Sequence, residues 1–312
     1  MNRIAQWKNL RQLVLLMPLF IGVIAMNSAK VIKHSISPEG KEIVTMVVTF
    51  PRYILAEFNT HRVFSKNTAS SRAIPVSKFI KQVEEDPVLP IFWGKNQSGM
   101  KAVVELSNLD IVKAICVWAK AKSQMVDAAK KLQVLDVHKQ ITNRLLEPWF
   151  YVTVLVTSTE WNNFFKLRCS IDAQPEMKQI ADLMRKALSE STASPLNYGQ
   201  WHIPFGEECF NLSLVEKLKV ATARAARVSY VNFNGDIDTN KDLLLHDDLK
   251  ISGHWSPFEH CAQALRPLSF LERVSAGVKF IFGVGKPILD RNTGNFRGWL
   301  QYRKTFAGES GE

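Results

Sequence analysis

Cysteine is sparse and scattered. The 312-residue chain has four, Cys116, Cys169, Cys209 and Cys261, and no C-x-x-C pair. That spacing excludes the common zinc patterns and a dense disulfide framework, and it fits a reducing compartment. Runs of five or more basic residues are also missing, although the net charge is +11. A basic balance favours acidic partners such as nucleotides, nucleic acid or an anionic membrane surface; with the charges scattered, nucleic-acid binding gets no specific support. There is no Gly-rich dinucleotide fingerprint, so a Rossmann-like fold is not expected. The apolar run from Leu13 to Met26 is broken by Pro18 and Gly22 and is too short to span a bilayer comfortably. Lys8 and Arg11 precede it, an order that imitates a secretory signal. The other reading, favoured here, is that residues 1–25 are a dispensable or over-extended leader before a start at Met26.

What the chain does contain is enough apolar composition, 46%, for one large domain or two small ones. Its most concentrated chemistry lies in T-H-R-V-F-S-K-N-T-A-S-S-R, Thr60 to Arg72, where only Val63, Phe64 and Ala69 are apolar. No helical or strand period organises it, so it reads as a polar loop. It follows a strand-like run, Glu42 to Phe50, and a short helix, Pro51 to Asn59, with Pro51 in the first turn. Hydroxyls, an amide and two arginines on such a loop suit an anionic ligand; a solvated basic loop is the plain alternative.

Further along, Leu109, Val112, Cys116 and Ala119, like Ile111, Ile115 and Trp118, recur at helical spacing and predict a long buried helix with Cys116 in its packing. His138 to Trp149 reads as a helix ended near Pro148, and Phe150 to Thr157 as a buried strand. Thr159 is placed to cap the next helix, Trp161 to Arg168, with Glu160 at its positive end. Ile180, Leu183, Met184, Ala187 and Leu188 mark another core stripe. Asn197 to Phe210 reads as a loop. Ser213 and Glu216 form a capping-box pattern before a helix carrying Leu214, Leu218, Ala221, Ala225 and Val228 on one face. Cys261 to Leu265 looks like a strand.

H-R-x-x-S-x-N-x-x-S-x-R, from His61 to Arg72, resembles the R-H-R-x-x-S-x-N-x-x-S-x-R signature of the flavin-dependent thymidylate synthase family. T-E-W-N-N-F-F-K-L-R, Thr159 to Arg168, resembles that family's block ending N-F-L-x-L-R, and D-A-Q-P-E, Asp172 to Glu176, its H-A-Q-x-E continuation. A-A-R-V-S-Y, Ala225 to Tyr230, and G-H-W-S-P-F-E-H, Gly253 to His260, are similar to A-A-R-V-S-F and G-H-x-T-P-F-E-H. In the familiar order the last two come first, so the resemblance implies a circularly permuted arrangement. The fold expected is α+β, a mostly antiparallel central sheet flanked by long helices. Residues 26–312 would be one catalytic domain with a helical insertion at about 76–137. Phe258 to Leu265 would then lie beside Glu42 to Phe50 in one sheet.

The resemblance implies reductive methylation of dUMP to dTMP with FAD, NADPH and methylenetetrahydrofolate, in a cytoplasmic homotetramer with no membrane partner. Arg168 matches the Arg that activates the pyrimidine, with Ser70 as the second catalytic candidate. Glu57, Ser70, Ser71, Arg72, Arg144 and Arg168 match substrate-contacting positions. His61, Arg62, Asn67, Asn163, His254, Ser256 and Glu259 match flavin-side positions. Departures are Thr60 for the first Arg, Glu57 for Gln, Thr68 for Glu, Ser71 for Gly and Asp172 for His. Arg297 or Arg303 is expected to restore the charge lost at Thr60. No metal is expected, although His254, Glu259 and His260 are ligand types. Cys169 is read as a buried thiol rather than a nucleophile, Arg224 and Arg227 as structural or flavin-side, and Trp149, Trp161 and Trp255 as core or pocket wall. A pyrimidine nucleotide hydroxymethylase and an idle nucleotide- or nucleic-acid-binding descendant stay open.

Overall fold

A computed structural model describes residues 27–206, 209–228, 238–267 and 293–309. The leader and its apolar run lie outside the described residues, as do Ser229 and Tyr230. Runs rich in β-branched residues build the larger sheet: β1 (Ser28–Ile36), β2 (Glu42–Pro51), β3 (Ser65–Thr68), β4 (Tyr151–Ser158) and β5 (Ser194–Pro195), in the order β3-β4-β2-β1-β5. Neighbours are antiparallel except β5 beside β1. The β1–β2 turn closes through Gly40, whose N–H donates to the Ser37 carbonyl at 2.9 Å. Its φ of +70° is one that glycine adopts without a steric penalty.

Successive side chains of a strand point to opposite faces, and β2 and β4 use both. Val44, Met46, Val48 and Phe50, with Val152, Val154 and Val156, enter one core together with Phe58, Phe64, Phe164, Ile180 and Met184. That face is covered by α2 (Val76–Glu85) and α6 (Pro175–Ser189), with α3 (Asn108–Val134) packed outside α2. The opposite face presents Ile43, Thr45, Val47, Leu155 and Thr157 to a second layer. There β6 (Trp201–His202), β7 (Ala262–Ala264) and β8 (Trp299–Gln301) form a small antiparallel sheet beside α7 (Leu214–Arg227) and α8 (Thr239–Ile251). The architecture is α+β, with a mostly antiparallel sheet between helical layers.

Several sequence expectations change. Phe258 to Leu265 does not join β2 in one sheet: both edges of β2 are already bonded, to β1 and β4. Its strand part, β7, therefore packs on β2 by its face, with Ala262 and Ala264 against Ile43. The polar stretch Thr60 to Arg72 is not all loop, because Ser65 to Thr68 pairs with Val154 to Thr157. In place of one helix over Pro51 to Asn59 there is a 3₁₀ turn, Arg52–Ile54, then α1 (Leu55–Phe58). His138 to Trp149 likewise divides into α4 (Lys139–Thr142) and a 3₁₀ segment, Asn143–Trp149, that contains Pro148. Thr159 does not cap α5 (Asn162–Arg168), whose N-cap is Trp161; its hydroxyl accepts from the Arg297 N–H instead. The Asn197 to Phe210 loop contains β6. The long helix α3 buries fully only Val126 and Ala129, and Cys116 is exposed with Leu109, Val117 and Val134. It lies a layer away from the sheet, so one narrow stripe is all it can bury. Among the described residues no helix is long and apolar enough to cross a membrane.

Candidate functional site

Three elements bring side chains together at the end of α5. Arg168 is its last residue, where a cation faces the negative end of the helix. Its guanidinium turns back to the α1–β3 connection. Nε donates to His61 Nε2 at 2.9 Å, Nη1 donates to Glu57, and Nη2 reaches Thr60 Oγ1 at 3.3 Å. Since His61 Nε2 accepts, the ring proton sits on Nδ1. Phe164 meets the imidazole edge-on at 4.9 Å, and Phe64 lies 5.9 Å away. Burial, then the charges of Arg168 and Lys66, lower the His61 pKa from 6.5 to about 4. It is a neutral acceptor at physiological pH. Lys66 Nζ donates to the carbonyls of Asn59 and His61, and burial lowers its pKa to about 8.

Asn67, on β3, ties this group to the later blocks. Its amide donates to the Ala225 carbonyl at 2.7 Å, and its Oδ1 accepts from Ser256 Oγ at 3.4 Å. The first, A-A-R-V-S and P-F-E-H blocks therefore meet at one asparagine. Behind it runs a buried polar chain: Ser35 Oγ to His202 Nδ1, His202 Nε2 to Thr45 Oγ1, Thr45 to Thr157, and Thr157 Oγ1 to His260 Nδ1. His260 Nε2 has no hydrogen-bond partner among the described residues. Both imidazoles are neutral, with burial lowering His260 to about 3 and His202 well below its ordinary value.

The remaining sequence-derived residues are less closely drawn in. Arg62, Asn163 and His254 are exposed, and His254 bonds to Ser252 at 2.8 Å. Glu259 faces Arg303 at 2.6 Å, and Arg303 also bonds Glu309. Arg297 pairs with Glu160. Neither Arg297 nor Arg303 turns to Thr60; the guanidinium beside Thr60 is that of Arg168. Ser70 Oγ accepts from the Arg72 N–H, and the Arg72 side chain is exposed. Ser71 and Arg144 converge on Glu147 Oε1, at 3.2 and 2.8 Å.

Sequence reasoning missed Glu147, Arg52 and Lys66. Arg52 Nη2 lies 3.6 Å from the same Glu147 oxygen. Arg52 and Glu147 line a cavity of about 460 Å³ with Tyr53, Leu55, Ala56, Asn59 and Pro148, a size that suits a small ligand. α1 borders both places: Leu55 and Ala56 line the cavity, and Glu57 of the same helix bonds Arg168. Lys66 could have been suspected from its place in the polar stretch; Arg52 and Glu147 carry no local signal beyond their neighbouring prolines. Cys169 is half-buried rather than buried; burial and a hydrogen bond to Asp182 raise its pKa, which keeps it a thiol. Among the described residues no group of three or more metal-ligand types could hold a metal ion.

The sequence model of the family described as thymidylate synthase complementing protein matches residues 32–192, just over half of the chain. No curated protein matches. A UMP/dUMP methylase, PolB from Streptomyces cacaoi, bound with 5-Br dUMP, is 12% identical over 53% of this chain and 91% of its own, with a TM-score of 0.43. Bound with 5-Br UMP it is 14% identical over 53% and 90%, again at 0.43. Flavin dependent thymidylate synthase ThyX from Helicobacter pylori, complexed with FAD and dUMP, is 17% identical over 47% and 67%, at 0.31. Likenesses this shallow carry no chemistry across.

Proposed function

Because this chain belongs to the thymidylate synthase complementing protein family, we propose that it is a flavin-dependent enzyme acting on dUMP. The finer reading is reductive methylation to dTMP, with FAD as the bound cofactor and NADPH and methylenetetrahydrofolate as co-substrates. It would work in the cytoplasm as a homotetramer built on one catalytic domain. The observation that carries the reading is the convergence at Arg168 and Asn67, where residues of four separate sequence blocks meet through side-chain hydrogen bonds.

The donor set fits a flavin in part. Arg62 and His254 are exposed donors for an anionic, aromatic ligand, and Ser256 and Asn67 are already fixed to each other. His61 and Asn163 complete the set that would hold it. Glu259 fits poorly, since its carboxylate is taken by Arg303. When bound, FAD would supply the hydride chemistry.

The chain's own residues would position and polarise. Arg168 spends three of its five N–H groups on His61, Glu57 and Thr60, so its plane is fixed before any ligand arrives. Two N–H groups are left to face a pyrimidine carbonyl edge, where a guanidinium stabilises charge developing on the ring. His61, kept neutral, accepts from Arg168 without adding a second cation. Phe164 and Phe64 hold the imidazole in place.

The test is complementation of a thymidine-requiring strain, run beside the spectrum of the purified protein. Growth, a yellow protein that releases flavin on denaturation, and loss of growth in Arg168→Ala are expected. A colourless protein that fails to complement and binds DNA in a salt-sensitive way would overturn the reading.

A further inference from the structure

At the edge of the cavity beside α1, where Arg52 and Glu147 form part of its wall, lies an anion cradle already filled from within. Two guanidiniums and a hydroxyl, from three separate segments, meet at one oxygen. Arg144 Nη1 lies 2.8 Å from Glu147 Oε1, Ser71 Oγ 3.2 Å and Arg52 Nη2 3.6 Å. Ser71 is buried, and the Arg52 and Glu147 side chains are largely covered, at 20% and 26% exposure, while Arg144 reaches in from the surface at 54%. Its backbone is fixed too: the buried Asn143 amide donates to the carbonyls of Ser71 and Ile74, at 2.6 and 3.0 Å. Donors of this kind, arranged around one oxygen, are what a phosphate or carboxylate needs. The open space beside them is large enough for a nucleotide.

We propose that Glu147 is an internal competitor for the phosphate of the nucleotide substrate. Its carboxylate holds the cradle in shape in the free protein and is displaced when a phosphomonoester binds. This rests on the reading of the protein as a nucleotide enzyme and adds a specificity-determining residue to it. Binding is then an exchange of one oxyanion for another. The charge of Glu147 offsets one of the two guanidiniums, which lowers the attraction for a doubly charged phosphate. A ligand without a phosphate has nothing to exchange and does not feel Glu147.

The experiment is calorimetric binding of dUMP and of deoxyuridine to the full-length protein and to Glu147→Gln, which keeps the shape and removes the charge. Inorganic phosphate serves as competitor. The expected result is dUMP binding about tenfold tighter in the variant, with deoxyuridine affinity unchanged and phosphate competing more strongly. Glu147→Ala should give the same order and serves if the Gln variant does not fold; Glu147→Asp, which keeps the charge, should resemble the wild type. Wild-type binding of dUMP with equal or weaker binding in Gln and Ala variants overturns the proposal alone, and shows Glu147 to be a scaffold for the arginines. A wild type that carries flavin but binds neither dUMP nor deoxyuridine overturns the nucleotide reading as well.

Discussion

Replacing Thr157 by Val removes one hydroxyl from the middle of the buried chain that runs from Ser35 to His260. Thr45 and Thr157 are both fully buried and bond each other at 2.7 Å, while Thr157 also meets His260 Nδ1 at 2.8 Å. Three bonds link His202 Nε2 to His260 Nδ1, and each needs one proton. The two hydroxyls supply two of them, so one histidine must donate inward and the other accept. The tautomers of His202 and His260 are thereby linked. In Thr157→Val, Thr45 keeps His202, but His260 Nδ1 loses its partner in a site that water does not reach. A buried polar group left unpaired costs about 1–3 kcal/mol. Removing a hydroxyl from Thr leaves nearly the same volume, so little cavity cost is added. Thr49 and Thr153 form the comparison: the same cross-strand pair, at 3.1 Å, but only half-buried, so water replaces the lost partner and Thr153→Val costs about 0.5 kcal/mol or less. Urea unfolding of both variants should separate them by about 0.5–3 kcal/mol, and thermal unfolding by roughly 1–4 °C. Equal stability of the two variants would refute the chain of bonds and the linked tautomers with it.

Other consequences are simpler to check. His61, His202 and His260 are neutral in the fold, with pKa values lowered from 6.5, to about 4 for His61 and about 3 for His260. The unfolded chain takes up protons on them below pH 6.5, so stability is full above that pH and falls as pH drops towards 4 and then 3. His202 and His260, both deeply buried, each add a slope of about 1.4 kcal/mol per pH unit; an unchanged urea midpoint between pH 7.5 and 5.5 would contradict this. Ser213 and Glu216 close a complete capping box at the start of α7, the helix whose Ala225 carbonyl receives Asn67. Ser213→Ala should lower stability by about 1 kcal/mol in thermal unfolding, and a variant as stable as the wild type would show that the cap is idle.

Much of the frame was legible in the sequence because it is local. The β-branched runs of β2 and β4, the capping box and the stripe of α6 each follow from a few adjacent residues. Burial on α3 was not legible: the apolar spacing is real, but how much of it is covered depends on α2 and the Asn143–Trp149 segment, which reach it from elsewhere in the chain. β3 was hidden for a related reason. Ser65 to Thr68 has no apolar alternation of its own and is a strand because β4 offers it a free edge. At the site, Arg168, His61 and Glu57 were marked by motif and do meet. Arg52 and Glu147 were not marked, since a charge beside a proline looks the same whether it is solvated or aimed into a cavity.

The permuted order that the resemblance implies is compatible with how the second layer is attached. A late segment that joined the main sheet by its ladder would need a free edge and a fixed register, and β2 has neither to give. β7 instead belongs to a sheet of its own, and that second layer meets β2 and β4 through side chains: Ile43 with Ala262 and Ala264, Thr45 with His202 of β6, Thr157 with His260 just before β7. Asn67 then bonds Ala225 and Ser256, from two of the late blocks, without any strand pairing between them. Contacts of this kind depend on where a layer sits rather than on which end of the chain delivers it. Ladder bonds tie the block that comes first in this chain, through β3, to β4, which leads directly into the Thr159 to Arg168 block, so β2 through β4 form one collinear unit. The face-packed blocks are the part of the fold that can be moved along the sequence while the same asparagine still receives them.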